Sequence, residues 1–263
     1  MRRRLRTLLA LSALSLTLSL VAGSARAITF GTVDSENRFD EVGALVGDFP
    51  GLGRRAICSG TLIEDDVFLT AAHCIASLEA NGSTETFVSL SPRFDPNDID
   101  AHLPGDAFAH PGYNHDLADL HDIAVVLLDE PVSGIDPARL AGAGYLDERK
   151  SILRSERFVA VGYGQVRDTK REGPNALMPS GGVRRFAEQS FLSLQRAWLN
   201  LSMNPSTGSG GTCFGDSGGP HFHRGVLVSI TILGDSVCRA TDKTYRVDSA
   251  SARAFLDDFV DLP

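Results

Sequence analysis

Residues 215–220 read Gly-Asp-Ser-Gly-Gly-Pro, which places one serine, Ser217, inside a glycine-rich loop. A serine hydroxyl is a weak nucleophile at neutral pH and needs a base within hydrogen-bond reach. Glycines let the backbone come close to a bound molecule and turn its N–H groups toward one point. We therefore expect Ser217 as the nucleophile, with the N–H groups of Gly215 and Ser217 as an oxyanion hole.

Two other stretches supply a base and a carboxylate. Residues 69–74 read Leu-Thr-Ala-Ala-His-Cys and present His73, and Asp122 stands directly before the apolar run of residues 123–128. Histidine can take and return a proton near neutral pH, and a buried carboxylate orients its ring. Taken singly, the three stretches are explained as well by a packed or surface histidine, a turn aspartate and a tight turn. Their occurrence in one chain predicts a Ser-His-Asp triad.

The composition is that of a folded, acidic chain. Of its 263 residues, 43% are hydrophobic and 22% are charged, which excludes a disordered protein and suffices for a substantial core. The formal net charge of −8 argues against a general nucleic-acid binder, because the phosphate backbone is bound through Lys and Arg. Four cysteines are too few for a disulfide-dense scaffold but allow two structural bridges.

The first 27 residues have the pattern of a secretory signal. A basic start within residues 2–6 precedes an apolar run over residues 8–21, and residues 25–27 read Ala-Arg-Ala, a small-x-small cleavage pattern. A membrane anchor is the alternative, but the run is short and diluted by Ser and Thr. We expect cleavage before Ile28, a secreted or periplasmic protein and no stable membrane anchor. Cleavage removes five arginines and no acidic residue, so the net charge of −8 becomes −13.

The chain after the signal predicts an all-β fold. Short β-prone runs are bounded by Gly, Asp, Asn or Pro and do not alternate with helices, which is typical of a barrel or sandwich. A helix is predicted at the C-terminus, capped by Asp248 or Ser249. Residues 135–155 are expected to connect two halves, and residues 165–182 to form an exposed loop. The predicted strands are residues 43–46, 60–63, 67–70, 86–90, 123–128, 158–162, 225–230 and 244–247.

The three stretches carry a resemblance to a known family. T-A-A-H-C around His73, D-I-A-V-V-L-L from Asp122 and G-D-S-G-G-P around Ser217 resemble the trypsin/chymotrypsin family of serine endopeptidases. The resemblance covers nearly the whole chain after the signal. It implies an all-β fold of two packed six-stranded antiparallel β-barrels with a short C-terminal α-helix, and an active site in the cleft between the barrels.

The resemblance also implies how the chain is divided and what it does. Residues 1–27 are the signal peptide, residues 28–140 form the first barrel with His73 and Asp122, and residues 141–263 hold the connection, the second barrel and the helix. The expected reaction is peptide-bond hydrolysis through an acyl-enzyme. The expected partners are a protein or peptide substrate and a protein inhibitor, with no cofactor and no nucleic acid. The alternative is a catalytically silent secreted binding protein on the same fold, although such proteins typically lack a triad residue.

The four cysteines can pair in three ways by sequence alone. The family pattern selects Cys58 with Cys74 and Cys213 with Cys238, which would fasten the histidine loop and the serine loop separately. Disulfide-closed loops of this size stabilise a fold by about 3–4 kcal/mol in the chain-entropy model.

The start of the mature chain bears on activation. In the family, a new N-terminal amine, usually of an Ile-Val-Gly-Gly start, folds inward and pairs with the acid that precedes the catalytic serine. Here that acid is Asp216, and residues 28–31, Ile-Thr-Phe-Gly, resemble such a start. We expect signal removal to create an amine on Ile28 that pairs with Asp216. The alternative is that Ile28 is only the first ordered residue.

The residues expected to bind the substrate are Gly211, Thr212, Ser229 and Thr231. In the family, the residue six before the serine lies at the base of the primary specificity pocket, and an aspartate there selects Arg or Lys. Gly211 holds that position, so a preference for Arg or Lys is not expected. The stretch from Ser229 to Thr231 resembles the pocket wall that pairs with an extended substrate, with Thr231 in place of a usual glycine. Lys243, near the far wall, is either solvated or favours an acidic side chain.

No metal is expected. Clustered prolines favour a solvated loop over a calcium site at Asp95, Asp98, Asp100 and Asp106. Four histidines fall in the same part of the sequence but lack the spacing of zinc ligands: His102, His110, His115 and His121.

Overall fold

The computed structural model describes residues 28–114, 116–166 and 182–263. The predicted signal peptide lies outside the described residues, as do His115 and most of the predicted loop at 165–182. Within the described ranges, thirteen strands and three short α-helices make up most of the regular structure.

The first barrel is a closed ring of six antiparallel strands. They are β2 (Val42–Phe49), β3 (Gly53–Glu64), β4 (Val67–Thr70), β5 (Thr86–Ser89), β6 (Leu103–Ala109) and β7 (Ala124–Leu128), after a two-residue strand β1 (Thr32–Val33). The ring order is β2-β3-β4-β7-β6-β5. Thr70, the last residue of β4, pairs with Ala124, the first of β7. The chain segments that lead to His73 and Asp122 therefore lie side by side.

The second barrel has the same number of strands. They are β8 (Arg157–Gly162), β9 (Arg185–Leu194), β10 (Trp198–Ser202), β11 (Pro220–His223), β12 (Val226–Gly234) and β13 (Thr241–Arg246). Their order is β9-β10-β13-β12-β11-β8, and pairing of β8 with β9 closes the ring. Strand β1 adds to the outer edge of β9. The expected fold of two six-stranded antiparallel barrels is thus confirmed.

Three α-helices are present in the described ranges. Helix α1 (Ala72–Ala80) follows β4, α2 (Tyr145–Glu148) lies in the connection between the barrels, and α3 (Ala250–Leu256) is the predicted C-terminal helix. Ser249 caps α3, because its Oγ accepts a hydrogen bond from the Ala252 N–H.

A buried arginine joins the two barrels. The Arg184 guanidinium, which lies just before β9, donates to Asp34 Oδ2 at 3.0 Å and to the Val42 carbonyl at 2.9 Å. The Tyr163 hydroxyl, just after β8, donates to the same Val42 carbonyl and to that of Ser91. The Val42 carbonyl on β2 therefore accepts hydrogen bonds from two residues that flank strands of the second barrel, which ties that barrel to the first.

The predicted strands all fall on observed strands, but the sequence pattern missed five others, one of them the two-residue β1. Strand β6 contains Pro104 and Gly105, and β9 and β10 mix polar and apolar residues without clean alternation, so none of them shows a strong β signal. Strand β11 follows directly on the glycine-rich loop and contains two histidines. Helix α1 was also missed, although Ala72, Ile75 and Leu78 recur at helical spacing and are buried.

Candidate active site

His73 lies in the first turn of α1, directly after the end of β4. The disulfide between Cys74 and Cys58 fastens this turn to β3. The imidazole is partly exposed, so one ring edge faces the protein while the other remains accessible. Only two residues separate His73 from Thr70, the last residue of β4, which pairs with β7.

Asp122 is buried and binds His73 twice. Its Oδ1 accepts the backbone N–H of His73 at 2.8 Å, and its Oδ2 lies 2.8 Å from Nδ1 of the same residue. One carboxylate therefore holds both the main chain and the ring of His73. A proton on Nδ1 completes the second bond, which leaves Nε2 as the nitrogen that can accept a proton.

The loop of Ser217 is held by the first barrel as well as by its own. Within the second barrel, the disulfide between Cys213 and Cys238 fastens the loop. From the first barrel, the Ser59 N–H donates to the Ser217 carbonyl at 2.8 Å, and the Ser59 hydroxyl donates to the Gly215 carbonyl at 3.0 Å. Ser59 is not among the predicted site residues, since a serine in the middle of β3 has no distinctive sequence pattern.

Gly218 lets the serine loop pack against the strand that leads to His73. Its φ is +77°, and a Cβ at this position would lie 2.5 Å from the Ser59 carbonyl oxygen and would also overlap Thr70 Oγ1. Only glycine fits there without displacing the first barrel. The loop with Ser217 therefore lies against the end of β4, a few residues before His73.

The Ser217 hydroxyl and the His73 ring are not hydrogen bonded to each other in the described part of the chain. No hydrogen bond connects Ser217 Oγ to His73 Nε2 among the described residues, and Nε2 lies 3.7 Å from Cys74 Sγ. Such contacts are often loose before a substrate binds, so the arrangement remains compatible with proton transfer.

Three backbone amides of residues 213–219 have no hydrogen-bond acceptor within the described ranges. The N–H groups of Cys213, Asp216, Gly218 and Gly219 all donate hydrogen bonds. In contrast, the N–H groups of Phe214, Gly215 and Ser217 do not. The two amides that the sequence assigned to an oxyanion hole, those of Gly215 and Ser217, are thus both able to bind a ligand oxygen.

Asp216 is fully buried and has no cationic partner among the described residues. Its Oδ1 accepts the Gly164 N–H at 2.7 Å and its Oδ2 accepts the Cys213 N–H at 2.8 Å. Burial raises the pKa of this carboxyl to about 7, although the two N–H groups act in the opposite direction, and the charge of Asp242 raises the pKa further. The site lacks a positive charge that would stabilise the carboxylate.

The segment that begins at Ile28 lies next to this carboxyl. Thr29 and Gly211 exchange backbone hydrogen bonds of 2.7 and 2.9 Å. The Ile28 side chain is buried against Ala160 on β8, two residues before Gly162, where a Cβ would overlap Asp216 Oδ1. In the full-length chain the Ile28 nitrogen is still a peptide amide. No bond joins it to Asp216 in the described part of the chain, so the expected ion pair stays a prediction for the cleaved chain.

The structure corrects the predicted pocket wall. Ser229 and Ile230 pair with β11 on one side and with β13 on the other, and the Thr231 N–H and C=O bond to Gly219 and Gly218. Both edges of this stretch are therefore occupied, and its backbone cannot pair with a substrate. Within the described ranges, the edge of β12 toward β11 is unpaired only after Thr231, at residues 232–234, because the pairing with β11 has ended there.

The other predicted binding residues are also buried. Thr212 lies beside Gly211, and its hydroxyl contacts Met203 Sδ at 3.9 Å. The Ser229 hydroxyl accepts a hydrogen bond from Thr244. Lys243 is partly exposed, and its Nζ lies 4.0 Å from the centre of the Trp198 ring.

Comparison with known proteins agrees with this architecture. The family model described as Trypsin matches residues 46–255. Human kallikrein-2 is 27% identical over 72% of this chain and 74% of its own length. The alkaline B trypsin of Manduca sexta is 26% identical over 90% of this chain and 92% of its own.

Solved structures agree with the fold. HL collagenase superimposes with a TM-score of 0.67 at 18% identity and covers 89% of this chain and 100% of its own. Mouse neuropsin, a serine protease, superimposes with a TM-score of 0.60 at 21% identity over the same shares. At these identities the likeness shows the fold alone.

Proposed function

This chain belongs to the trypsin family and is a serine endopeptidase, and we propose that Ser217, His73 and Asp122 form its catalytic triad. The observation that carries the proposal is the pair of hydrogen bonds between Asp122 and His73. One joins the carboxylate to the main chain of His73 and the other to its ring, and each is 2.8 Å long. This fixes the ring with Nε2 available as a base. The docking of the Ser217 loop against β3 and β4 supports the same assignment.

The reaction follows from these positions. The Ser217 hydroxyl attacks the scissile carbonyl while His73 Nε2 takes its proton, and Asp122 stabilises the resulting imidazolium. The free N–H groups of Gly215 and Ser217 bind the oxyanion, which is worth about 2.7–4 kcal/mol for each donor in comparable sites. His73 then protonates the leaving amine. Water, deprotonated by the same ring, hydrolyses the acyl-enzyme and restores Ser217.

Activation is the second part of the proposal. Cleavage of the signal before Ile28 creates an ammonium group, and its target is the Asp216 carboxyl. The nearness of the Ile28 side chain to the strand that contacts Asp216 supports this pairing. A buried carboxylate without a partner costs about 3–5 kcal/mol, so the new amine would stabilise the serine loop. Signal removal would then be the activating event.

Export and substrate class complete the proposal. Two disulfides suit an oxidising compartment outside the cytoplasm, and no helix within the described residues is long and apolar enough to cross a bilayer. The partners are protein or peptide substrates and protein inhibitors, with no nucleic acid. Gly211 itself carries no charge and gives no basis for selecting Arg or Lys. Any charge selection must come from other residues.

A fluorophosphonate probe tests the assignment of the triad. The chain that begins at Ile28 should label stoichiometrically, because the probe reacts only with an activated serine. Ser217→Ala should abolish labelling, whereas Ser229→Ala should leave it intact, since the Ser229 hydroxyl is bonded to Thr244 inside the barrel. Absence of labelling in a folded wild-type protein would instead support a catalytically silent binding protein.

A further inference from the structure

The segment just before Asp122 is held by side chains of the second barrel. The Trp198 indole N–H, on β10, donates to the Leu117 carbonyl at 2.9 Å. The Tyr245 hydroxyl, on β13, donates to Asp119 Oδ1 at 2.7 Å. Trp198 and Tyr245 are paired residues of neighbouring strands, and both are buried. Two adjacent side chains of one barrel therefore hold the turn that leads to Asp122 in the other.

The backbone directly before Asp122 is strained. His121 has a φ of +51°, in the left-handed region that residues with a side chain rarely adopt. The Ile123 N–H donates to the His121 carbonyl at 2.9 Å, so Asp122 is the central residue of a three-residue turn. A strained conformation of this kind persists only where surrounding contacts hold it. The direction of the Asp122 side chain therefore depends on the contacts that hold His121.

Asp119 holds His121 and is itself held by Tyr245. Asp119 Oδ1 accepts the His121 N–H at 3.3 Å in addition to the Tyr245 hydroxyl. The Asp119 side chain is only 15% exposed, so the two bonds form in a poorly solvated place. Burial raises the pKa of the Tyr245 hydroxyl, which therefore remains a hydrogen-bond donor at neutral and mildly alkaline pH. Two hydrogen bonds thus run from β13, through one carboxylate oxygen, to the residue before Asp122.

We propose that Tyr245 is a positioning residue of this protease and acts through Asp119. It fixes the turn at His121 and thereby aims the Asp122 carboxylate at His73. This inference rests on the proposed function, because it concerns the orientation of the proposed triad. The pairing of β4 with β7 fixes the main chain after Asp122, and the bond from Tyr245 fixes it before Asp122. Docking of the two barrels therefore orients the histidine half of the site as well as the serine half.

Kinetics of Tyr245→Phe test the proposal, because this change removes only the hydroxyl. In the chain that begins at Ile28, with a peptide amide that the wild type cleaves, kcat should fall about tenfold while KM stays within about twofold. The loss should fall on kcat, because the aim of the triad matters in the transition state and not in substrate binding.

Tyr163→Phe is the matched control. It removes another buried hydroxyl that bonds across the barrels, but this hydroxyl donates to the Val42 and Ser91 carbonyls and not to residues 116–121. The control should lower the melting temperature and leave kcat within about twofold of the wild type.

Variants at Asp119 separate positioning from general stability. Asp119→Asn keeps an oxygen that can accept both hydrogen bonds, so kcat should stay within about threefold of the wild type. Asp119→Ala removes the acceptor, and kcat should fall about tenfold, with no further loss when it is combined with Tyr245→Phe. Because the Asp119 side chain is partly exposed, Asp119→Ala also tests the proposal if Tyr245→Phe does not fold.

Three results would overturn the proposal. The first is an unchanged kcat in Tyr245→Phe or, if that variant does not fold, in Asp119→Ala. The second is an equal fall of kcat in Tyr163→Phe, which would assign the effect to the docking of the barrels in general. The third is additive losses in the double variant, because the two residues would then act separately. Failure of the wild type to cleave any peptide or to react with a fluorophosphonate would instead overturn the proposed function.

Discussion

Two buried aspartates, Asp122 in the first barrel and Asp216 in the second, are alike in their burial and in their hydrogen bonding. They differ in whether a group that can become positively charged is bonded to the carboxylate. Each accepts two hydrogen bonds, and neither is exposed. Asp122 bonds to a histidine ring that can become positively charged during the reaction. Asp216 bonds only to two backbone amides, and burial raises its pKa to about 7. The histidine side of the site is therefore complete in the full-length chain, while the serine side lacks a positive charge.

The two halves of the site are held in place by different kinds of contact. The position of Asp122 follows from the pairing of β4 with β7, which is internal to the first barrel. The serine loop depends on more distant contacts, including Ser59 of the first barrel and the segment after Ile28. We infer that processing of the chain acts on the second half and leaves the first unchanged.

The largest effect is expected at Asp122. Asp122→Asn keeps the shape but favours the wrong ring tautomer of His73, so kcat should fall by about 10⁴-fold. Single-turnover hydrolysis of a peptide amide measures this loss. Asp106→Asn, an exposed change on neighbouring β6, should have no effect. A loss below about tenfold at Asp122 would remove this residue from the triad.

The next largest effect is expected at Asp216. In the chain that begins at Ile28, Asp216→Asn should lower kcat/KM by about 100- to 1,000-fold, because the new ammonium group would lose its buried partner. Hydrolysis of peptide amides at pH 8 measures the change. Wild-type activity in a folded Asp216→Asn variant would show that activity does not require the pairing of Asp216 with the new ammonium group.

The stability of the uncleaved chain should depend on pH through Asp216. The pKa of this carboxyl is about 7 in the fold and has an ordinary value of 3.8, so the folded state binds more protons than the unfolded state between those values. Unfolding free energy should therefore fall by a few kcal/mol as the pH rises from about 4 to about 7. Urea unfolding of a chain with two residues before Ile28 measures this slope.

Asp216→Asn provides the control for that slope. The neutral amide cannot ionise, so the variant should lose stability less steeply over the same pH range and exceed the wild type above pH 7. Equal slopes in the two proteins would assign the pH dependence to other groups.

A smaller effect is expected at Ser59, which connects the two halves. Ser59→Ala leaves the Gly215 carbonyl and the Tyr163 N–H without the hydroxyl that they share, at a cost of about 1–3 kcal/mol. We expect kcat/KM to fall about tenfold, because the oxyanion loop loosens. Thr61→Val is the matched control on the same strand, since the Thr61 hydroxyl has no partner among the described residues. Equal losses in both variants would indicate a general effect on β3.

More of the histidine half of the site than of the serine half could be predicted from the sequence. The stretches around His73 and Asp122 predicted both residues, and the pairing of their strands is local to one barrel. Ser59 could not be predicted, because its role depends on contact with residues more than 150 positions away. The pocket wall was misplaced toward the N-terminus, since only the end of pairing with β11 shows where the free edge of β12 begins.

The most direct test of the difference between Asp122 and Asp216 is the rate of fluorophosphonate labelling of Ser217 with and without a free amine on Ile28. The two proteins are the chain that begins at Ile28 and the same chain with two extra residues, whose retention is confirmed by mass spectrometry. We predict labelling about 100- to 1,000-fold slower in the extended chain, because Asp216 has no ammonium partner there. Equal labelling rates in the two proteins would contradict it.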